Sequence, residues 1–125
     1  NRIAFLRGDL FEPLMPEKPG VHLIASNPPY VCTHEIQELL PEVALHEPKI
    51  ALDGGKDGMN FLRKIICQAP HFLRPEGWLL LEMSPYQVDK ALFTLAETGV
   101  YQNETKIEDY SHLQRVVMAQ LKSKI

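Results

Sequence analysis

The chain has 125 residues, of which 45% are hydrophobic and 23% charged, and its formal net charge is −3. That length holds one globular domain at most, and the composition excludes disordered and collagen-like classes. The acidic balance argues against a general polyanion-binding surface, and no apolar run approaches the roughly 20 residues of a membrane span.

The elements can be taken in chain order. Arg2–Arg7 has strand character and Gly8-Asp9 ends it. A Pro-containing loop, Met15–Gly20, leads to Val21–Ala25, an apolar, partly β-branched run that reads as a buried strand. Asn27-Pro28-Pro29-Tyr30 follows it directly. Thr33 is placed to cap a helix running to Leu40, where Pro41 stops it. Glu42–Asp57 is a long irregular stretch with Pro48, Gly54 and Gly55.

Asp57 is placed to cap a helix with Phe61, Leu62, Ile65, Ile66 and Ala69 on one face, ended by Pro70. Arg74–Gly77 reads as a turn and Trp78–Met83 as a buried strand, with Glu82 near its end a candidate site residue. Ser84-Pro85-Tyr86-Gln87 is a capping box with proline at the first helical position. Its helix carries Val88, Ala91, Leu92 and Leu95, and Gly99 stops it. Val100–Glu108 and Arg115–Leu121 are strands around a turn at Asp109–Gln114.

The two cysteines, Cys32 and Cys67, form no Cys-x-x-Cys pair and are expected as free thiols in a reducing compartment. The five histidines show no metal-ligand spacing, so no metal site is expected.

The chemistry concentrates in the tetrapeptide. A polar segment at a strand's carboxyl end lies where open α/β sheets bind ligands. Asn27 offers an acceptor and two donors on a short stem. Pro28 and Pro29 donate no backbone hydrogen bond, hold the chain extended and present carbonyls that can accept. Tyr30 adds a flat face and a hydroxyl. Such a clamp accepts two N–H bonds from a planar amide or amino group. It positions that nitrogen, a poor nucleophile, and favours its pyramidal form during attack.

Asn27-Pro28-Pro29-Tyr30 after a strand resembles the signature of class I, S-adenosylmethionine-dependent methyltransferases acting on planar nitrogens. Leu40-Pro41-Glu42-Val43, Glu47-Pro48 and Ala51-Leu52-Asp53-Gly54-Gly55-Lys56-Asp57-Gly58 resemble the HemK-like release-factor glutamine N5-methyltransferases. The resemblance runs from Gly8-Asp9-Leu10-Phe11 to Arg115-Val116-Val117. It implies Asn27, Pro28 and Tyr30 as catalytic residues, and Pro29 and Glu47 beside them in substrate binding. Asp9 and Leu10 would border the cofactor's adenine, with Asn27 also facing the cofactor. One departure is Glu82-Met83-Ser84, where the family usually has Glu-Ile-Gly; the added bulk bears on local pocket shape.

No Gly-x-Gly-x-Gly loop and no ribose-binding acid after a second strand are found. The resemblance thus implies a C-terminal portion of a methyltransferase catalytic domain spanning residues 1–125. The expected fold is α/β, a partial Rossmann-like mixed sheet with helices on both faces. Of the class order 3-2-1-4-5-7-6 it would supply strands 3 to 7 and lack 1 and 2. Val21–Ala25 would then be an exposed apolar edge prone to pair with a second copy or a separate chain. The expected activity is N5-methylation of a glutamine in a peptide-chain release factor, in the cytoplasm, with this chain inactive alone. An adenine-N6 DNA methyltransferase and a non-catalytic binding remnant are the alternatives.

Overall fold

The computed structural model describes residues 2–30, 54–55 and 58–123. The helix expected over Thr33–Leu40 and the cap expected at Asp57 lie outside them.

The apolar run after Gly20 forms β1, Val21–Ser26, one residue longer than its sequence pattern. It pairs in parallel with β2, Leu73–Glu82. Between them in sequence lies α1, Asn60–Gln68, which buries Leu62, Ile65 and Ile66. The helix starts from Met59 with no side-chain cap, and a 3-10 turn at Ala69–His71 ends it where Pro70 forbids continuation. A 3-10 turn over Pro85–Gln87 opens α2, Val88–Thr98, and Gly99 closes it in the left-handed region, at φ 72°. The chain then turns back through β3, Tyr101–Glu108, and β4, Gln114–Leu121. β4 is antiparallel to both β2 and β3, and the sheet order is β1-β2-β4-β3. That is the 4-5-7-6 end of the expected order.

Two expectations are corrected. Arg2–Arg7 forms no strand; Ile3, Phe5 and Leu6 are 71%, 92% and 61% exposed. A strand exists through its hydrogen-bonded ladder, and this segment has no neighbouring strand among the described residues. Arg74–Gly77 is not a turn before β2 but a bulge within it. The register runs from Val21↔Leu73 to Leu23↔Trp78, so β2 spends five residues where β1 spends two. Glu76, at φ 66°, absorbs the bend.

Alternation along β2 and β4 defines the two faces. Leu79, Leu81, Val117 and Ala119 are buried with Leu62, Ile66, Ala91 and Leu95 in one core. Tyr101 belongs to it, and its hydroxyl donates 2.7 Å to the Ile66 carbonyl. Burial, with Cys67 nearby, pushes that hydroxyl's pKa well above the ordinary range. On the reverse face, Leu23, Trp78, Leu80 and Met118 align by register yet keep solvent exposure. Helices were expected on both faces; among the described residues the helical layer covers one.

Candidate functional site

β1 delivers Asn27-Pro28-Pro29-Tyr30 to its carboxyl rim, as the sequence pattern predicts. Asn27 is exposed, Pro28 buried, and Pro29 and Tyr30 half-buried. Tyr30 packs against the core. The rim of the neighbouring parallel strand supplies the next layer. Beyond β2, Met83 is fully buried in the core, and Ser84 stands in extended backbone at the start of the 3-10 turn. The bulk of Met83 is thus taken up within the core.

Gln87 joins the two rims. Its side chain is fully buried and its amide is used on both sides. Oε1 accepts from the Ser84 backbone N–H at 3.2 Å, which is the capping box. Nε2 donates 2.6 Å to the Tyr30 carbonyl and 3.2 Å to the Gly58 carbonyl. Tyr30 and Gln87 are 57 residues apart in sequence.

The glycines of the downstream segment complete the arrangement. A Cβ on Gly54 would stand 2.6 Å from Tyr30 Cα and 2.7 Å from the Pro29 and Gly58 carbonyl oxygens. Gly58 has φ 76°, and a Cβ there would collide with the Tyr30 carbonyl oxygen and the Gln87 amide nitrogen. The turn holds itself by Gly58 N–H to Gly55 carbonyl at 3.1 Å and Asn60 N–H to Gly54 carbonyl at 2.9 Å. These glycines are small so that backbone can lie on backbone. Their space is filled by the tetrapeptide.

Tyr30, Gly54, Gly58 and Gln87 are therefore one cluster. Asp9 and Leu10 lie in a separate turn, where the Asp9 carbonyl accepts from Glu12 N–H at 3.0 Å and Leu10 adopts φ 50°. That turn is anchored by Phe11, whose ring stacks on Phe72 at 4.7 Å. The Phe72 carbonyl in turn accepts from Val21 N–H, at the amino end of β1 and opposite the tetrapeptide. Glu47 lies outside the described residues. Glu82 is exposed at the end of β2. No cluster of three or more His, Cys, Asp or Glu that could hold a metal ion occurs among the described residues. Nor is any described helix long and apolar enough to cross a membrane. Sequence reasoning assigned Gln87 to capping alone. The Ser-x-x-Gln spacing signals the cap, while the contact with Tyr30 leaves no local signal.

Comparison with known proteins shows what the chain is similar to. The chain is 40% identical, over 96% of its length, to a release factor glutamine methyltransferase of Thermosynechococcus vestitus. The match covers 41% of that relative. The chain is homologous to the release factor glutamine methyltransferases. It spans about two-fifths of the length of the curated relatives it matches over most of its own length. A ribosomal protein uL3 glutamine methyltransferase of Neisseria meningitidis is 48% identical over 66% of the chain and 26% of the relative. No family model matches. A solved protein-(glutamine-N5) methyltransferase, release factor-specific, from Alicyclobacillus acidocaldarius superposes with a TM-score of 0.52. It does so at 23% identity over 82% of this chain and 50% of that one, and so supports the fold. The α/β reading and the glutamine methyltransferase relationship thus agree. By name these relatives act on a release factor or a ribosomal protein, and nothing among them favours the DNA alternative.

Proposed function

We propose that residues 1–125 form one portion of a methyltransferase catalytic domain and hold the amide of a glutamine side chain in a peptide-chain release factor for N5-methylation. The carrying observation is the tetrapeptide on the β1 rim, with Asn27 exposed and its neighbours Pro28 to Tyr30 packed down. Pro29 lies against Gly54 and the Tyr30 carbonyl is engaged by Gln87. In this reading the acceptors for the substrate amide are the Asn27 side-chain oxygen and the Pro28 carbonyl. Two N–H bonds to these would fix the amide nitrogen and favour its pyramidal form, with the Tyr30 ring beside the amide plane. Glu47 would line the same pocket.

S-adenosylmethionine is the methyl donor that the relationship implies. The glycine segment does not fit it: the room beside Gly54 and Gly58 is taken up by Tyr30, Pro29 and Gln87. The resemblance would set Asp9, Leu10 and Asn27 beside the adenine, but the Asp9-Leu10 turn is tied to the amino end of β1, opposite Asn27, so the three form no single wall and leave the ribose and methionine groups ungripped. Alone, the chain should bind the cofactor weakly and transfer no methyl, because a partial site loses affinity and geometry together. The setting is the cytoplasm. β1, as a free apolar edge, should pair with a second copy or a separate chain.

A ribosomal protein substrate is the second reading, favoured by the identity to the uL3 enzyme. A chimera decides between them, with this chain replacing the matching 121 residues of the Thermosynechococcus vestitus relative. Methyl transfer to release-factor glutamine supports the first reading; transfer to uL3 alone supports the second. Transfer to DNA only would overturn both. Calorimetric titration of the unfused chain with S-adenosylmethionine tests the partial site, and micromolar binding by a monomer would refute it.

A further inference from the structure

A Pro-Pro segment poses a holding problem. Pro28 and Pro29 have no N–H, so the tetrapeptide cannot be fixed there through its own donors. At those two positions it can be fixed only through its carbonyls and by packing. Gln87 supplies the donor. Its Nε2 bonds the Tyr30 carbonyl at 2.6 Å, while Oε1 anchors the amide to Ser84 N–H beyond the adjacent parallel strand. The second Nε2 bond, to the Gly58 carbonyl at 3.2 Å, locks the turn whose Gly54 bears on Pro29 and Tyr30. No buried side-chain polar atom among the described residues lacks a partner. A fully satisfied buried network of this kind specifies one geometry, and partial satisfaction is costly.

We propose that Gln87 is a positioning residue for methyl transfer: acting through the Tyr30 and Gly58 carbonyls, it sets where Asn27 and the Pro28 carbonyl stand relative to the substrate amide. The proposal rests on the amide-holding role of the tetrapeptide. It goes beyond that role by placing a third segment, the start of α2, in control of the site's geometry. A misplacement of about 1 Å at a reacting group can cost on the order of 10²-fold in rate. A single side chain that ties both rims together therefore has leverage on kcat without touching substrate.

Gln87→Glu is the discriminating variant. The carboxylate still accepts from Ser84 N–H, so the capping box survives. It cannot donate to Tyr30 or Gly58 unless protonated. In the chimera, Gln87→Glu should lower kcat at neutral pH by about tenfold or more, with KM for release factor within about twofold. Activity should recover as the pH falls and the buried carboxyl, its pKa raised, takes up the donor proton. In the unfused chain, ¹⁵N relaxation should show order parameters at Asn27 and Tyr30 falling from about 0.85 toward 0.6.

Tyr101→Phe is the control for general destabilisation, because it removes a buried hydrogen bond elsewhere in the same core. It should leave those order parameters and kcat unchanged. Gln87→Met, which keeps volume and loses all the polar contacts, covers the case in which the glutamate variant fails to fold. An active chimera in which Gln87→Glu or Gln87→Met turns over like the parent would overturn the proposal. So would equal loosening of Asn27 and Tyr30 by Tyr101→Phe. If the unsubstituted chimera methylates no glutamine, the functional reading falls, and relaxation still reports separately on whether Gln87 orders the tetrapeptide.

Discussion

The two edges of the sheet are built by opposite rules. β3, at one edge, carries Gln102, Asn103, Glu104, Thr105, Lys106 and Glu108, and its register shifts twice against β4. Charges and bulges are what keep an edge from pairing with another chain. β1, at the other edge, reads Val-His-Leu-Ile-Ala-Ser and has no Lys, Arg, Asp or Glu. Its Val21 and Leu23 are about half exposed. β3 is thus an edge by position and by composition, whereas β1 is an edge by position with the sequence of an interior strand. The candidate site lies at the end of β1, so the part of the molecule that needs exact geometry adjoins an edge strand of interior composition. The Gln87 network offsets this by fixing the tetrapeptide from the helix side.

Substitutions in matched pairs break the comparison most sharply. Asn27→Ala at the β1 rim should lower kcat of the chimera by about 10² or more, as for loss of one preorganised polar contact at a reacting centre. Asn103→Ala on β3, which removes a 2.8 Å bond to Gln120 Oε1, should leave turnover unchanged. Near-normal turnover of the Asn27 variant would sink the site assignment. The glycines form the second pair. Gly58 and Gly99 have nearly the same φ, 76° and 72°. Gly58 is hemmed in by Tyr30 and Gln87, while nothing lies within 4 Å of a Cβ at Gly99. Gly99→Ala, before β3, should cost only the left-handed penalty of about 1 to 2 kcal/mol. Gly58→Ala adds a collision with backbone and should cost about 3 kcal/mol or more in urea unfolding. Equal costs would mean that Gly58 is a glycine for its φ alone.

How far the sequence announces this arrangement depends on how local each cause is. Val21–Ser26 and Gln114–Leu121 emerge within a residue of their apolar runs, since a buried strand needs little beyond its own residues. Arg2–Arg7 has the same kind of run and forms no strand, because pairing needs a neighbour that no local pattern supplies. Arg74–Gly77 contains true bend chemistry, but proline, glycine and a positive φ serve a turn and a bulge alike. At α1 residue preference points to a cap at Asp57, which lies outside the described residues, and the helix begins at Asn60 from Met59 without a side-chain cap. In the candidate site, Asn27-Pro28-Pro29-Tyr30 was visible as a motif. Its dependence on Gln87 was not, since a hydrogen bond spanning 57 residues is a product of topology.

Self-association should separate the edges by a smaller but direct effect. Sedimentation of the chain is expected to show concentration-dependent association through β1. Leu23→Lys should shift it toward monomer, because a charge on an edge strand opposes pairing. Thr105→Lys on β3 should change nothing, since that edge is already charged. Trp78, the chain's one tryptophan, pairs with Leu23 across β1 and β2 and lies on the face that the helices among the described residues do not cover. Its emission should shift to the blue on association and stay red in Leu23→Lys. Association that survives this substitution would clear the β1 edge, and with it the reverse face on which Leu23 also lies.

The smallest effect belongs to the turn that closes the protected edge. Asp109 accepts from Ser111 and Leu113 N–H at 2.8 and 3.0 Å, and its second oxygen lies 3.2 Å from Arg115 Nε. The Leu113 bond foremost, joined by those of Ser111 and Arg115, holds its pKa below the ordinary carboxylate value, against an opposing desolvation that is second in size only to the Leu113 bond. A carboxyl whose folded pKa is depressed stabilises the fold above the unfolded value, about 3.9, and that contribution is lost as pH falls through the folded pKa. Asp109→Asn keeps an acceptor for the turn and loses the charge. It should therefore be slightly less stable than the parent at pH 7, with the gap closing in acid below the ordinary aspartate range. Added salt should narrow the gap at pH 7, since the Arg115 pair is partly exposed and screened. Urea unfolding of both chains at pH 7 and pH 3 checks this. A gap that persists unchanged at pH 3 would show that Asp109 acts in this turn through shape rather than charge. The matching sedimentation profile should be unaltered, because the substitution sits at the edge that is already closed to partners.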